Sequence, residues 1–414
     1  MSVLDPPLAV RWLRDLAELT GDEDGAQRVA WSDTWMTARE WFRARLEEIP
    51  GVEVHRDPAG NVWAALPGES ARSVVVGGHI DSVPDGGWLD GALNVVAALA
   101  VMRAVAEGPR PPLTLRLVDW ADEEGARFGR SLVGSSAAAG TLDPEALRGL
   151  RDREGVALPD ALGARGVELE RMLEAGDELD GVAAYLELHI EQGPVLESID
   201  RPLGVVTGVF GLQRHVVVAR GAHAHAGATP MHLRRDAFLT AARIALAARD
   251  AAAAGTDVRA TTGTVSVSPG IVTAFNGACE ISLDQRALDA DVLAGMVADA
   301  RRASEAIAAE EGCTVEWVPQ FAQEPVYFAP PLVEMAAEVI AELTGREAPR
   351  LPSGPLHDAA EMARVVPSVM VFVRSIGGVS HTKDEDSSEA DIELSVRAMH
   401  ALTLRTMAWA GEAS

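Results

Sequence analysis

Apolar positions change their period along this chain. After Ser32 and Asp33, the residues Trp35, Ala38, Trp41, Phe42 and Leu46 recur at helical spacing, which predicts a capped amphipathic helix over 33–48. Short apolar runs follow at 62–66, 74–77 and 113–118, and between the last two lies the Ala- and Val-rich helical segment 92–106. Strand, helix, strand in this order predicts a mostly parallel sheet with helices on its faces. Ligands of such sheets gather in the loops that follow the strands. Residues 144–180 read as a long helical excursion within this first region.

A different texture begins near residue 208. Residues 216–219 alternate like a strand, 235–254 read as one Ala-rich helix, 258–267 and 279–286 as strands, and 292–311 as a further helix. This predicts an inserted αβ-sandwich of about 120 residues, a size within the ordinary range for a domain. From about 330 the helix–strand alternation resumes, with 369–373 the clearest late strand. The expected fold is therefore α/β and discontinuous, with one domain built from 1–209 and 329–414 and a smaller one from 210–328.

The chain has 414 residues, with 36 basic and 62 acidic side chains giving a formal charge of −26. Such an excess of acid argues against nucleic acid or an anionic membrane as partner, since both select a basic face. No apolar run approaches the roughly 18 residues of a membrane span. The N-terminal residues lack the basic start and apolar stretch of a secretory signal, so the expectation is a cytoplasmic protein. Two cysteines, Cys279 and Cys313, make no disulfide framework and no metal-finger spacing.

Chemistry concentrates after the strands. His79 ends the run 74–76 and stands two residues before Asp81, whose carboxylate can receive a ring N–H of His79. Asp90 and Gly91 follow. The acids Asp122, Glu123 and Glu124 come after the run 113–118, and adjacent buried carboxylates repel unless a cation compensates. Strand alternation places Glu187, His189 and Glu191 on one face. His381 follows the run 369–373, with Glu385 four residues on. Taken singly, each cluster reads equally well as solvated polar surface. Together they supply three imidazoles and several carboxylates with glycines beside them, a donor mix that suits zinc and also manganese, cobalt or nickel.

These stretches, together with DEEGARFGRSLVGSSAAAG (122–140), ELHIEQGPVLE (187–197), HAHAGATPMHLRRDA (223–237), LDQRALD (283–289) and SGPLHDAAEMA (353–363), resemble the amidase, hydantoinase and carbamoylase family of dinuclear metallohydrolases. The resemblance runs in order from about residue 15 to the end. It implies one metal on His79, Asp90 and His189, and another on Asp90, Glu124 and His381, with Asp90 bridging. It implies Glu123 as general base, Asp81 as the partner of His79, and an inserted domain that serves for dimerisation. From that domain His225 would donate a hydrogen bond to the oxyanion in the neighbouring subunit of a homodimer. Gln213 and the position of Thr273 would contact substrate, and Arg286 would grip a substrate carboxylate in a planar, bidentate manner. Salt bridging of Arg286 to Asp284 or Asp289 is the plainer reading of that residue. His215 and His223 read as ordinary structural histidines.

The implied reaction is hydrolysis of a small ureido acid, an N-carbamoyl-L-amino acid first and allantoate or an N-acyl amino acid as alternatives. A ligand-binding relative without catalysis is the remaining reading. Two positions depart from the family pattern. Thr273 stands where asparagine is usual, with Asn276 nearby, and Asn94 stands where glycine is usual.

Overall fold

The computed structural model describes residues 4–412, so the start of the chain, Met1 to Val3, on which the expected absence of a leader partly rests, lies outside the described residues. The chain divides into two compact units, one comprising residues up to Thr207 and from Phe328 onward, the other Gly208–Tyr327.

The larger unit is organised on a twisted sheet. Its strands, in chain order, are β1 (Glu53–Arg56), β2 (Val62–Leu66), β3 (Ser70–His79), β4 (Leu113–Trp120), β5 (Val182–Ile190), β6 (Leu203–Val209), β7 (Arg350–Ser353) and β8 (Ser368–Val373). In space the order runs β1-β2-β4-β3-β5-β8-β6, with β7 alongside β6. The central strands β4, β3, β5 and β8 are mutually parallel, while β1, β2 and β6 join antiparallel at the flanks. The carboxyl ends of the four central strands therefore lie along one edge.

Helices α1 (Pro6–Thr20), α2 (Asp33–Glu47), α3 (Ala92–Ala106), α4 (Pro330–Thr344) and α5 (Glu389–Glu412) flank the sheet. α2 begins where the sequence predicts, with the Ser32 hydroxyl accepting the Trp35 amide at 3.1 Å. It is tied to β4 by a buried ion pair, Arg39 Nε to Asp119 Oδ2 at 2.7 Å. Asp119 also accepts the Ile80 amide at 2.9 Å, so the same carboxylate steadies the turn after His79. α3 is apolar on nearly every side and packs against α1, α5 and three central strands, as an all-round apolar helix must. Asn94 lies fully buried on it, and its amide fills the space in front of Gly78.

The smaller unit has an antiparallel sheet with strands Gly211–Arg220, Val258–Thr261, Val265–Ser268, Ala278–Ala287 and Thr314–Gln323. Helices Ala237–Ala253 and Ala290–Glu310 cover one face, with Val217, Ala219, Cys279, Ile281 and Leu283 in the core between them.

Two expectations from periodicity are corrected. The run 258–267 is two strands, because an extra residue around Gly263 shifts the register against Ala278–Ala287. The Ser282 hydroxyl accepts the freed amides of Gly263 and Thr264 at 3.1 and 2.9 Å. Segment 144–180 is not one helix but two short ones, Pro144–Arg148 and Leu158–Ala164, followed by a 3-10 run, Leu169–Leu179. Gly155 and Gly166 adopt φ of 87° and 73° between them, a conformation that ends helices.

A Cβ added at Gly78 would lie 2.3 Å from Asn94 Nδ2. We predict that Gly78→Ala costs about 1–3 kcal/mol in urea unfolding, and that Asn94→Ala in the same chain restores part of the loss. Strictly additive effects in that double-mutant cycle would refute the steric account.

Candidate metal centre

The edge formed by the carboxyl ends of the parallel strands collects the residues singled out by the sequence. His79 closes β3, Glu123 and Glu124 follow β4, His189 is the penultimate residue of β5, and His381 follows β8. Asp90 comes from the loop between β3 and α3. At this edge two trios have potential ligand atoms within 4.8 Å of one another, His79–Asp90–His189 and Asp90–Glu124–His381.

Asp90 is common to both, and its two oxygens divide the work. Oδ1 lies 3.1 Å from His189 Nε2 and 3.8 Å from His79 Nε2. Oδ2 lies 3.2 Å from His381 Nε2, which is itself 3.6 Å from Glu124 Oε2. The other nitrogens of the first two rings are spoken for. His79 Nδ1 meets the Asp81 carbonyl oxygen at 3.1 Å, and His189 Nδ1 meets that of Ile190 at 2.8 Å. Carbonyls only accept, so each Nδ1 carries a proton and each Nε2 is the nitrogen that faces the site, free to hold a cation once any proton on it is displaced.

Asp81 works differently from the sequence expectation. Its backbone carbonyl, not its carboxylate, is the closer partner of His79, the carboxylate oxygen standing 3.7 Å away. The carboxylate instead accepts the amides of Glu123 and Glu124 at 3.3 and 3.2 Å. Asp122, at φ 60° and bonded to Trp31 Nε1 at 2.6 Å, sets the turn that presents those two acids.

The electrostatics are those of too many acids in too little water. Burial, followed by repulsion from Asp358, Glu124, Asp81 and Asp90, holds the Glu123 carboxyl well above its usual range. Burial and Asp90 push Glu124 up to about 8. Burial also raises Asp81 to about 6 and Asp122 to about 7. For Asp90 burial acts upward too, but bonds from His189 and His381 outweigh it and hold the group well below the carboxylate range. Burial lowers His79 to about 4, whereas at His189 the bond to Asp90 overcomes burial and raises the ring to about 9. Such opposed shifts in one cluster mark a site that lacks positive charge.

A divalent cation fits that deficit. The donors are imidazole nitrogens and carboxylate oxygens, Glu124 Oε1 is buried without a hydrogen-bond partner among the described residues, and a cavity of about 230 Å³ opens onto the site. The cavity is lined by Asp90, Glu123, Glu124, His189 and His381, together with Gln192 and His357. The last two carry no role in the sequence reading, although both lie inside quoted motifs. Gln192 Nε2 donates to Asp90 Oδ2 at 2.8 Å, and the His357 ring packs on His189 with centroids 4.5 Å apart. Their signal was proximity in sequence to His189 and to the buried Asp358.

The remaining candidates sit on the smaller unit. His225 is exposed, and its Nδ1 accepts the amides of Gly227 and Ala228 at 3.1 and 3.2 Å. That fixes the proton of the neutral ring on Nε2, as a hydrogen-bond donor. Thr273 is exposed and its carbonyl accepts the Ala226 amide at 2.7 Å, so the two candidate loops are stitched together. Asn276 turns its side-chain oxygen to the Gly270 amide at 3.0 Å. Arg286 Nε bonds Asp284 Oδ1 at 2.7 Å, and Arg214 bonds the other oxygen of Asp284, also at 2.7 Å. Gln213 pairs in register with Gln285, on the face of Leu283 and the helices, whereas Arg286, Asp284 and Arg214 occupy the opposite face. Gln213 and Arg286 therefore lie on opposite faces of this sheet.

The sequence pattern of peptidase family M20/M25/M40 matches residues 75–405. An N-carbamoyl-L-amino acid amidohydrolase of Geobacillus stearothermophilus is 36% identical over 381 residues, covering 91% of this chain and 92% of its own length. An allantoate amidohydrolase of Escherichia coli is 33% identical over 392 residues, 93% of each. The crystal structure of a hydantoinase/carbamoylase family amidase from Burkholderia multivorans superimposes with a TM-score of 0.90 at 31% identity, covering 98% of both chains. Among the described residues no helix is long and apolar enough to cross a membrane.

Because Glu124 and His189 hold protons up to about 8 and 9, a cation must displace protons to bind. Affinity for Zn2+ is expected to rise with pH from about 6 to 9, with proton release that depends on buffer ionisation heat in calorimetry. A pH-independent affinity over that range would exclude these residues as ligands.

Proposed function

The chain belongs to peptidase family M20/M25/M40, and on that footing we propose that it is a metal-dependent amidohydrolase of carbamoylase type, acting on an N-carbamoyl-L-amino acid. The observation that carries this reading is the Asp90 carboxylate, divided between His189 on one oxygen and His381 on the other, with Glu123 beside the same cavity.

Two divalent ions would be held by His79, Asp90 and His189 and by Asp90, Glu124 and His381, with zinc or manganese favoured by the donors and cobalt or nickel compatible. Bound there, they would lower the pKa of a water and polarise the ureido carbonyl. Glu123 takes the proton from the attacking water and passes it to the leaving nitrogen, a role suited to a carboxylate whose proton affinity is raised. Attack of one water on the ureido carbon breaks one of its two carbon–nitrogen bonds and leaves a carbamic acid. The remaining carbon–nitrogen bond of that acid breaks on loss of carbon dioxide, so the products are the L-amino acid, carbon dioxide and ammonia. Arg286, fixed by Asp284, grips the substrate carboxylate, and the Nε2–H of His225 stabilises the developing oxyanion.

His225 belongs to a homodimer in this reading, serving the site of a second copy. Support comes from an apolar surface on the smaller unit, where Phe238 and Leu246 border a cavity of about 520 Å³ together with Val265, all three substantially exposed. Allantoate, also a ureido acid with one carboxylate, is the second substrate reading, favoured by relatives of that activity at similar identity.

Ammonia release from N-carbamoyl-L-amino acids and from allantoate tests the substrate. Turnover abolished by a chelator and restored by Mn2+ is expected, and turnover of allantoate alone would move the assignment to that acid. Glu123→Gln should retain metal while kcat falls by about 10²-fold or more, and Arg286→Ala should raise KM chiefly for carboxylate-bearing substrates. Wild-type kinetics in either variant would remove its residue from the scheme. In sedimentation, Leu246→Glu combined with Val265→Glu is expected to convert a dimer to a monomer with much reduced activity; an unchanged dimer would place the interface elsewhere.

A further inference from the structure

Asp90 and His381 arrive at the centre on loops nearly 300 residues apart in sequence, and one buried carboxylate touches both loops. Glu385 is 1% exposed. Its Oε1 accepts the backbone amides of Leu89 at 3.2 Å and Asp90 at 2.9 Å, and its Oε2 accepts the Ser380 hydroxyl at 2.7 Å. The chain makes room for it at Gly87, where an added Cβ would fall 2.1 Å from Oε1.

The bonds close into a ring. The Ser380 hydroxyl has one proton, and Glu385 at 2.7 Å is a better acceptor than Asp90 Oδ2 at 3.3 Å. Gln192 Nε2, with two protons, reaches both Asp90 Oδ2 at 2.8 Å and Ser380 Oγ at 3.2 Å. From Asp90 the path runs through Gln192, Ser380 and Glu385 back to the Asp90 amide.

Such a carboxylate in a dry setting needs a counter-charge. Arg28 supplies it. Its side chain is fully buried, Nε is bound to the Ile80 carbonyl at 2.8 Å, and the two terminal nitrogens have no hydrogen-bond partner among the described residues. Glu385 exerts the strongest attraction on it, ahead of Asp90, Asp81 and Glu124. Arg28 comes from the segment between α1 and α2.

We propose that Glu385 is a positioning residue of the metal centre, joining the Asp90 loop to the His381 loop so that the Asp90–Glu124–His381 trio assembles only when both are docked. The inference rests on the two-ion reading above. His79 and His189 are held by carbonyls at or just beyond their strand ends, so two of the three ligands of that ion stand without Glu385. The other ion shares Asp90 and also takes His381 from the clasped loop, so loss of Glu385 should fall chiefly on the latter.

Stepwise Zn2+ binding to the full chain, by calorimetry with bound metal counted by elemental analysis, tests this. His381→Ala and His189→Ala serve as references for losing either ion. Glu385→Ala is expected to weaken the ion lost in His381→Ala by about 10- to 100-fold and to leave the other within about threefold. Glu385→Gln, which keeps an acceptor for the two amides, should fall between. Equal weakening of both ions, or of neither, would overturn the proposal. If Glu385→Ala does not fold by circular dichroism, Ser380→Ala decides, with a selective several-fold weakening supporting the clasp and unchanged affinities refuting it. A wild-type chain that binds one ion contradicts the two-ion reading itself, an outcome distinct from all of these.

Discussion

Everything in the larger unit bends around the cost of holding acids close together out of water. Asp81, Asp90, Asp119, Asp122, Glu123, Glu187, Asp358 and Glu385 are all buried, and Glu124 is nearly so. Each would ordinarily neutralise itself by keeping a proton, and most do show raised proton affinity. The fold supplies some relief through Arg28, Arg39 and strategically placed amide donors. The remainder is a demand for cations at the place where Asp90 meets three imidazoles. Structure and chemistry are thus linked by a charge deficit, and the catalytic role assigned to Glu123 draws on the same repulsion that raises its proton affinity.

The parallel sheet turns that deficit into a site. Four strands running the same way deliver His79, the Glu123–Glu124 pair, His189 and His381 to one edge, although these residues span more than half of the chain. Backbone carbonyls then orient His79 and His189, so for these two rings the first requirement for metal binding is met by main chain and not by side-chain pairs. Glycines appear where close approach demands them, at Gly78 against Asn94 and at Gly87 against Glu385.

Much of this was legible in the sequence. Residues 92–106 and 62–66 read as the elements they form, because an uninterrupted apolar composition leaves little choice of environment. His79, Asp90, Glu123, Glu124, His189 and His381 stand out in the sequence because each lies at or after a strand signal with an acid or glycine nearby. Other features were hidden for identifiable reasons. The two short helices in 144–180 depend on glycines whose positive φ periodicity does not register. The break at Gly263 depends on a hydroxyl of a neighbouring strand. The face of Gln213 depends on register with Gln285, and the true partner of His79 is a main-chain carbonyl, which no side-chain pattern reports. Arg28 was invisible because a lone arginine in a loop gives no sign of being buried.

The most direct test of the central claim is anomalous diffraction from crystals grown with Zn2+ or Mn2+. Two peaks about 3.5–4 Å apart, the spacing of two-metal sites, one against His79 and His189 and the other against Glu124 and His381 with Asp90 between them, are the predicted result. A single peak, or peaks away from Asp90, would contradict the account.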